Sequence, residues 1–277
     1  MRFRPILICV CAVAMVASVA SAAEVKFPDA NLEKVIREIL KRKQINKPQI
    51  TDEDLAKIFF LHADGRGIKN LSGLEHCRNL AEVRLAKNEI TDVTPLGKCV
   101  NVQSLDLAHN KIQDIKPLGQ LTKLQYLNLS GNQISDISPV ANLKALNALY
   151  LEGNRVKDLS PLAGLPKLTS LYLADNQIRD IKPLASLKWL ANLDLANNQI
   201  EDVSPLTALT ELRWTFLQNN KIKDIGPLAD MAEKDAAGPQ RFAPFWNLYL
   251  AGNPLSEESR TKHLERLKKA GVRVHVE

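Results

Sequence analysis

Seven aspartates, Asp92, Asp114, Asp136, Asp158, Asp180, Asp202 and Asp224, recur every 22 residues, and each follows an asparagine by four: Asn88, Asn110, Asn132, Asn154, Asn176, Asn198 and Asn220. A column of stacked carboxylates could bind calcium. Calcium, however, needs six to eight oxygens converging at about 2.3–2.6 Å, whereas a stack at strand spacing holds single carboxylates about 5 Å apart. The aspartates are therefore read as caps that accept backbone N–H groups in the D-(I/V)-x-P-L turn that follows. The five histidines are scattered, with no zinc-ligand spacing and no evident nucleophile beside them, and no glycine-rich phosphate loop occurs. His62, near Arg84 and Asp64, reads as a surface histidine. No catalytic residue, metal or cofactor is expected, and the chain is read as a non-enzyme.

Two cysteines share the same period. Cys77 and Cys99 are 22 residues apart, where later copies have Leu121, Leu143, Leu165, Leu187 and Leu209. They must stack. Adjacent turns put their Cα atoms about 5 Å apart, inside the disulfide range, while parallel Cβ vectors lie farther apart than the preferred ~3.8 Å. A disulfide and a pair of buried thiols standing in for leucine both fit the spacing.

The elements that must position these columns follow from the frame L-x-x-L-x-L-x-x-N-x-I-x-x-I-x-x-L, as in Leu146, Leu149, Leu151, Asn154, Val156, Leu159 and Leu162. This is a leucine-rich repeat. The L-x-L alternation makes a short strand with leucines inward, and one unit cannot bury its apolar edge alone. About nine stacked turns give a continuous core and a parallel sheet, with a concave face on the order of 40 Å long. An inward asparagine amide can be satisfied by backbone groups of its own turn and of the next, and leaving it unpaired would cost roughly 1–3 kcal/mol. Proline at Pro95, Pro117, Pro139, Pro161, Pro183, Pro205 and Pro227 fixes φ and argues for short 3₁₀ or irregular segments on the convex side. The predicted class is α/β, a leucine-rich repeat solenoid or horseshoe.

The array is irregular at both ends. An early copy carries Arg66 at the asparagine position, and a late one reaches Asn253 after 33 residues instead of 22. The extra length lies near residues 229–244 and predicts a short helix or lobe. Leu32, Val35, Ile36, Ile39 and Leu40 have helical spacing before the array. After it, Ser256, acids at Glu257 and Glu258, Lys268, Lys269 and Gly271 bound a second helix, and "VRVHVE" reads as a last strand. The expected organisation is a leader over residues 1–23, a helical cap over 24–57, repeats over 58–253 and a helix-strand cap over 254–277.

Residues 1–23 set Arg2 and Arg4 before an apolar run and end in Ser21, Ala22 and Ala23, the pattern of a secretory signal peptide. The apolar run is shorter than a membrane-spanning helix needs. Its removal lowers the net charge from +6 to +4, too mild for a nucleic-acid partner. The mature chain is expected outside the cytoplasm, secreted or periplasmic, without a membrane span.

Positions six, four and two before each asparagine face away from the core. Aromatics are 5% of the chain, yet Tyr126, Tyr150, Tyr172, Trp214, Phe216 and Tyr249 all fall on two of these columns. Interspersed with Arg84, Asp106, Glu152 and Asp194, they form the expected partner-binding surface, with rings as anchors and charges for orientation. For Trp214 and Phe216, packing beneath the insertion is an equal expectation. A protein or peptide suits a broad sheet; a carbohydrate or other envelope glycan is the competing ligand.

The 22-residue L-x-x-L-x-L-x-x-N-x-I-x-D-I-x-P-L unit resembles the internalin-type class of bacterial leucine-rich repeat proteins. "FPDANLEKVIREIL", "ITDEDLAKI" and "GIKNLSGLEHCRNL" are similar to the helical cap that this family sets before its first repeat. The resemblance implies an extracytoplasmic protein-binding scaffold. The chain shows no immunoglobulin-like domain after the repeats, no sorting motif and no hydrophobic tail, so an invasion role is not expected to carry over.

Overall fold

The computed structural model describes residues 24–277; the expected leader at 1–23 lies outside the described residues. The chain enters through helix α1 (Ala30–Arg42) and the single-turn helix α2 (Asp52–Leu55). Asp29 caps α1, one carboxylate oxygen accepting from Asn31 N and Leu32 N at 3.0 Å each. Its other oxygen accepts from Lys69 N and Asn70 N at 2.7 and 3.1 Å, tying the cap to the first coil. Leu32, Val35, Ile36 and Leu40 form the buried stripe of α1, as their spacing predicts.

Ten three-residue strands follow: β1 (Phe60–His62), β2 (Glu82–Arg84), β3 (Ser104–Asp106), β4 (Tyr126–Asn128) and β5 (Ala148–Tyr150), then β6 (Ser170–Tyr172), β7 (Asn192–Asp194), β8 (Trp214–Phe216), β9 (Asn247–Tyr249) and β10 (Arg273–His275). They pair in sequence order as one sheet, every neighbour parallel. The middle residue of each strand up to β9 is buried, and its two flanking residues occupy the open face, except that Asn247 of β9 is also buried. Buried apolar residues on either side of the strands, mostly leucine, complete one continuous core along the array. One inward strand position is polar: Thr215 stands where most strands have leucine, and its hydroxyl accepts from the indole N–H of the fully buried Trp246 at 2.8 Å.

The turn after each strand from β1 to β9 holds a residue at positive φ, namely Gly65, Lys87, His109, Gly131, Gly153, Asp175, Asn197, Asn219 and Gly252, between +55° and +73°. Glycine, asparagine and aspartate predominate there because the left-handed region costs them least. The asparagine column then closes the coil. Asn132 Nδ2 donates to Leu129 O of its own turn at 2.9 Å and to Leu107 O of the preceding turn at 3.0 Å, while its Oδ1 accepts from Ile112 N at 3.0 Å. The same set recurs at every asparagine from Asn88 to Asn253. The inter-turn partner is thus the preceding coil and not the following one, because the carboxamide points back toward the turn already laid down.

The aspartate column behaves as caps. Asp92, Asp114, Asp136, Asp158, Asp180, Asp202 and Asp224 each accept from the backbone N–H two residues on, at 2.7–2.9 Å. Asn70 does the same for Ser72 N in the irregular first coil. Prolines open the 3₁₀ turns of the outer side, for example Lys116–Gln120 and Ser204–Ala208. Pro227 departs from expectation by standing in the first turn of an eleven-residue helix, α3 (Gly226–Ala236). Proline in a first turn removes an N–H that has no intrahelical partner anyway, so the 22-residue length, and not proline, limits the other coils to a single turn.

The long coil is ordered by one carboxylate. Buried Asp235 accepts from Arg241 N, Phe242 N and Ala243 N at 2.9, 3.0 and 2.8 Å. Phe242 and Trp246 meet edge to face beneath it, with ring centroids 5.6 Å apart. A π-turn (Ser259–His263) and α4 (Leu264–Lys269) then close the far end, and Gly271 at φ +92° returns the chain into β10.

Candidate functional site

The open-face residues sit in parallel register, so like positions of successive coils become neighbours. Asn128 pairs with Tyr150, Tyr150 with Tyr172, Tyr172 with Asp194, Asp194 with Phe216 and Phe216 with Tyr249. Tyr126 lies one column over, between Ser104 and Ala148. The result is two aromatic tracts with Asp194 between them.

The first tract is a tyrosine ladder. Tyr150 and Tyr172 stack with centroids 4.6 Å apart and planes 3° from parallel; Tyr126 leans on Tyr150 at 5.3 Å and 45°. All three rings are half-buried. The second tract joins Phe216 to Tyr249 at 4.7 Å and Trp214 to both at 6.4 and 6.3 Å. Trp214 is 43% exposed, so it and Phe216 belong to the open face and do not pack beneath the insertion, whose interior is filled by Phe242 and Trp246. All four tyrosines of the chain are in these tracts.

One member was missed by the sequence reading. His275 of β10 stacks on Tyr249 at 4.1 Å and 8°, extending the second tract by a coil. It lies beyond the last asparagine, so the 22-residue frame could not reach it; continuing the strand register past β9 would have found it.

Charge is distributed unevenly along the face. Arg84 is held by Asp64 at 2.9 Å, and His62 by Glu82 at 2.9 Å. Asp106 and Asp194 each accept from the backbone N–H two residues on, Ala108 and Ala196, at 2.9 Å. Glu152 reaches across to Ser130 Oγ at 2.6 Å. Burial pushes the Glu152 carboxyl above its ordinary range, opposed by the Ser130 hydroxyl and reinforced by Asp194 and Asp175. Asp194 is pushed up likewise, chiefly by burial. The three ladder phenols are raised by burial first, and then by Asp106 for Tyr126, by Glu152 for Tyr150 and by the neighbouring Tyr150 phenol for Tyr172.

The structure thus brings Tyr126, Tyr150, Tyr172 and Glu152 into one tract and Trp214, Phe216 and Tyr249 into the next, with Asp194 between the two. Arg84 and Asp106 lie toward the cap. Cys77 and Cys99 are on the opposite side of the core, both buried and unlinked, with Cys99 Sγ 3.2 Å from Leu74 O. Among the described residues no group of three His, Cys, Asp or Glu side chains is placed to hold a metal ion. No helix of the described residues is long and apolar enough to cross a membrane. Rings, amides and carboxylates without a paired nucleophile and base can recognise a ligand by contact and desolvation.

Known proteins match this architecture. A leucine-rich repeat family model covering two copies at a time matches residues 100–142, 144–186 and 188–230. The crystal structure of the internalin inlF of Listeria monocytogenes is 35% identical, with a TM-score of 0.78 over 90% of this chain and 69% of its own. Internalin C2 of the same organism is 33% identical, with a TM-score of 0.71 over 76% of this chain and 94% of its own. The leucine-rich repeat ectodomain of the Arabidopsis thaliana receptor kinase GASSHO1/SCHENGEN3, solved in complex with Casparian strip integrity factor 2, is 25% identical, with a TM-score of 0.58 over 68% of this chain and 23% of its own. With the asparagine ladder, the 22-residue coil and two Listeria relatives above 30% identity, this chain belongs to the internalin family of leucine-rich repeat proteins.

Proposed function

We propose that this protein is a non-enzymatic binding scaffold, secreted or periplasmic, that captures a protein or peptide on the concave face of its sheet. Tyr126, Tyr150 and Tyr172 are the central anchors; Trp214, Phe216 and Tyr249 are a second set. Arg84, Asp106, Glu152 and Asp194 orient the partner. The observation that carries this reading is the gathering of six partly exposed rings into two stacked tracts on one open sheet, with Asp194 between them, since rigid aromatics in a desolvated centre supply most interface energy. The plant ectodomain solved in complex with a ligand factor lends support from a related architecture.

A glycan ligand is less well served. Sugars stack on free ring faces, and Tyr150 and Tyr172 each turn one face toward the other at 4.6 Å, while Tyr126 leans on Tyr150.

The test is capture from an envelope extract followed by mass spectrometry. Replacing Tyr150 and Tyr172 by alanine should weaken capture of the specific partner by about tenfold or more, as truncating two anchors costs at least ~1 kcal/mol each. Capture that is unchanged, with the thermal melt intact, refutes the assignment of the face. A ligand that survives protease treatment of the extract would point to a glycan instead.

A further inference from the structure

Outside the aromatic tracts, a groove of about 370 Å³ opens where α1 meets the edge of β1. Its floor is Phe59 and Phe60, which expose 46% and 60% of their surface. The Phe60 column holds small or polar residues in most later coils, among them Glu82, Ser104, Ala148, Ser170 and Asn192. Ile39 of α1 forms the facing wall. Exposed phenylalanines side by side at the end of a sheet are not required by the repeat, whose inward positions are already filled.

The rim of the groove is basic. Lys43 Nζ lies 5.8 Å from the centroid of the Phe59 ring. Among the described residues, Arg42 and Lys43 have no carboxylate at ion-pair distance, and Arg66 meets only Glu38, at 3.8 Å. The nearby open-face side chains are already engaged, His62 with Glu82 and the Arg84 cation with Asp64. Basic residues in the last turn of α1 complement its C-terminal dipole, which accounts for positive charge here but not for two bare rings beside it. A side chain seated between Ile39 and Phe60 would place its flanking residues near Arg42, Lys43 and Arg66, and carboxylates are their electrostatic complement.

We propose that this groove is a second docking subsite, for a segment of a partner protein that carries one aromatic or branched apolar side chain between carboxylates. It stands apart from the tyrosine ladder. Tyr126 lies three strands away, roughly 14 Å at strand spacing, so the two surfaces can be disabled separately.

The experiment uses the full chain and a fluorescein-labelled peptide of about ten residues, with a central Phe-Leu between paired aspartates, read by anisotropy. Saturable binding is expected, weakening about tenfold in Phe60→Ser and again in Lys43→Glu, and falling with added salt. Serine already occupies the Phe60 column at Ser104 and Ser170, so F60S keeps the coil, and a thermal melt checks this. Tyr150→Ala should leave peptide binding unchanged. Absence of saturable binding, equal binding of a peptide with lysines replacing the aspartates, or loss in only one of the two variants overturns the proposal. Loss in Y150A with F60S unaffected overturns it while leaving the ladder as the binding site.

Discussion

Asn154→Ala is the sharpest test of what holds the coils together. Asn154 Oδ1 is the acceptor for the buried Ile134 N–H at 2.9 Å, and its Nδ2 donates to Leu129 O and Leu151 O at 3.0 Å each. Those carbonyls have second donors, since Asn132 reaches Leu129 O at 2.9 Å and Asn176 reaches Leu151 O at 2.9 Å. Alanine therefore orphans one buried donor completely and leaves two acceptors with one partner apiece. An unpaired buried N–H costs about 1–3 kcal/mol and each of the two other lost bonds about 0.5–1.5 kcal/mol, so the change should destabilise the array by about 2–6 kcal/mol. Because long repeat arrays need not unfold in one step, the assay is native-state hydrogen exchange with urea melts beside it. The Ile134 amide should lose protection more than amides two coils away, such as Ile178. Asn192→Ala on the open face is the control, expected to stay within about 0.5 kcal/mol. Protection of Ile134 equal to that of the unmodified chain would refute the reasoning.

Further outcomes follow from single groups. Asp235→Ala strands the N–H groups of Phe242 and Ala243, so limited proteolysis should cut residues 237–244 much faster, at a local cost of about 2–4 kcal/mol; unchanged cleavage refutes the capping role. Glu152 has its carboxyl pKa raised above the ordinary 4.5, so the native state binds its proton more tightly than the unfolded chain does, and stability falls as pH rises through that range. Glu152→Gln should therefore raise the melting temperature at neutral pH, with the gain vanishing in acid; a gain that grows in acid has the wrong sign. Burial pushes the Cys99 thiol up to about 12 and raises Cys77 further, so alkylation at pH 8 should proceed only as fast as the fold opens. Rapid alkylation of the folded chain would show the thiols to be accessible.

The repeat was legible because a stack applies one constraint at every coil. A period of 22 and alternating leucines leave a single way to bury both, so the strands, the asparagine and aspartate columns and the open-face columns could be numbered directly. Periodicity gives spacing without direction, which is why the choice of preceding coil as each carboxamide's partner came only from atoms such as Ile112 N on Asn132. Breaks in the period hid the rest. Thr215 meets Trp246 across 31 residues of the long coil, and no local signal links them. Pro227 looked like its six predecessors, and only the added length after it allowed α3. On the candidate site, columns were readable but side-chain torsions were not, so the face-to-face stack of Tyr150 on Tyr172 was unforeseen.

The one-way reach of each carboxamide has a consequence for how such a protein can change its span. Excising one whole unit between equivalent points of two neighbouring coils would bring the later amide over carbonyls and an N–H of the same kind it had before, so no donor would be stranded at the splice. The open face can thus be lengthened or shortened in fixed increments without redesigning the interior, while the two unique ends stay as they are.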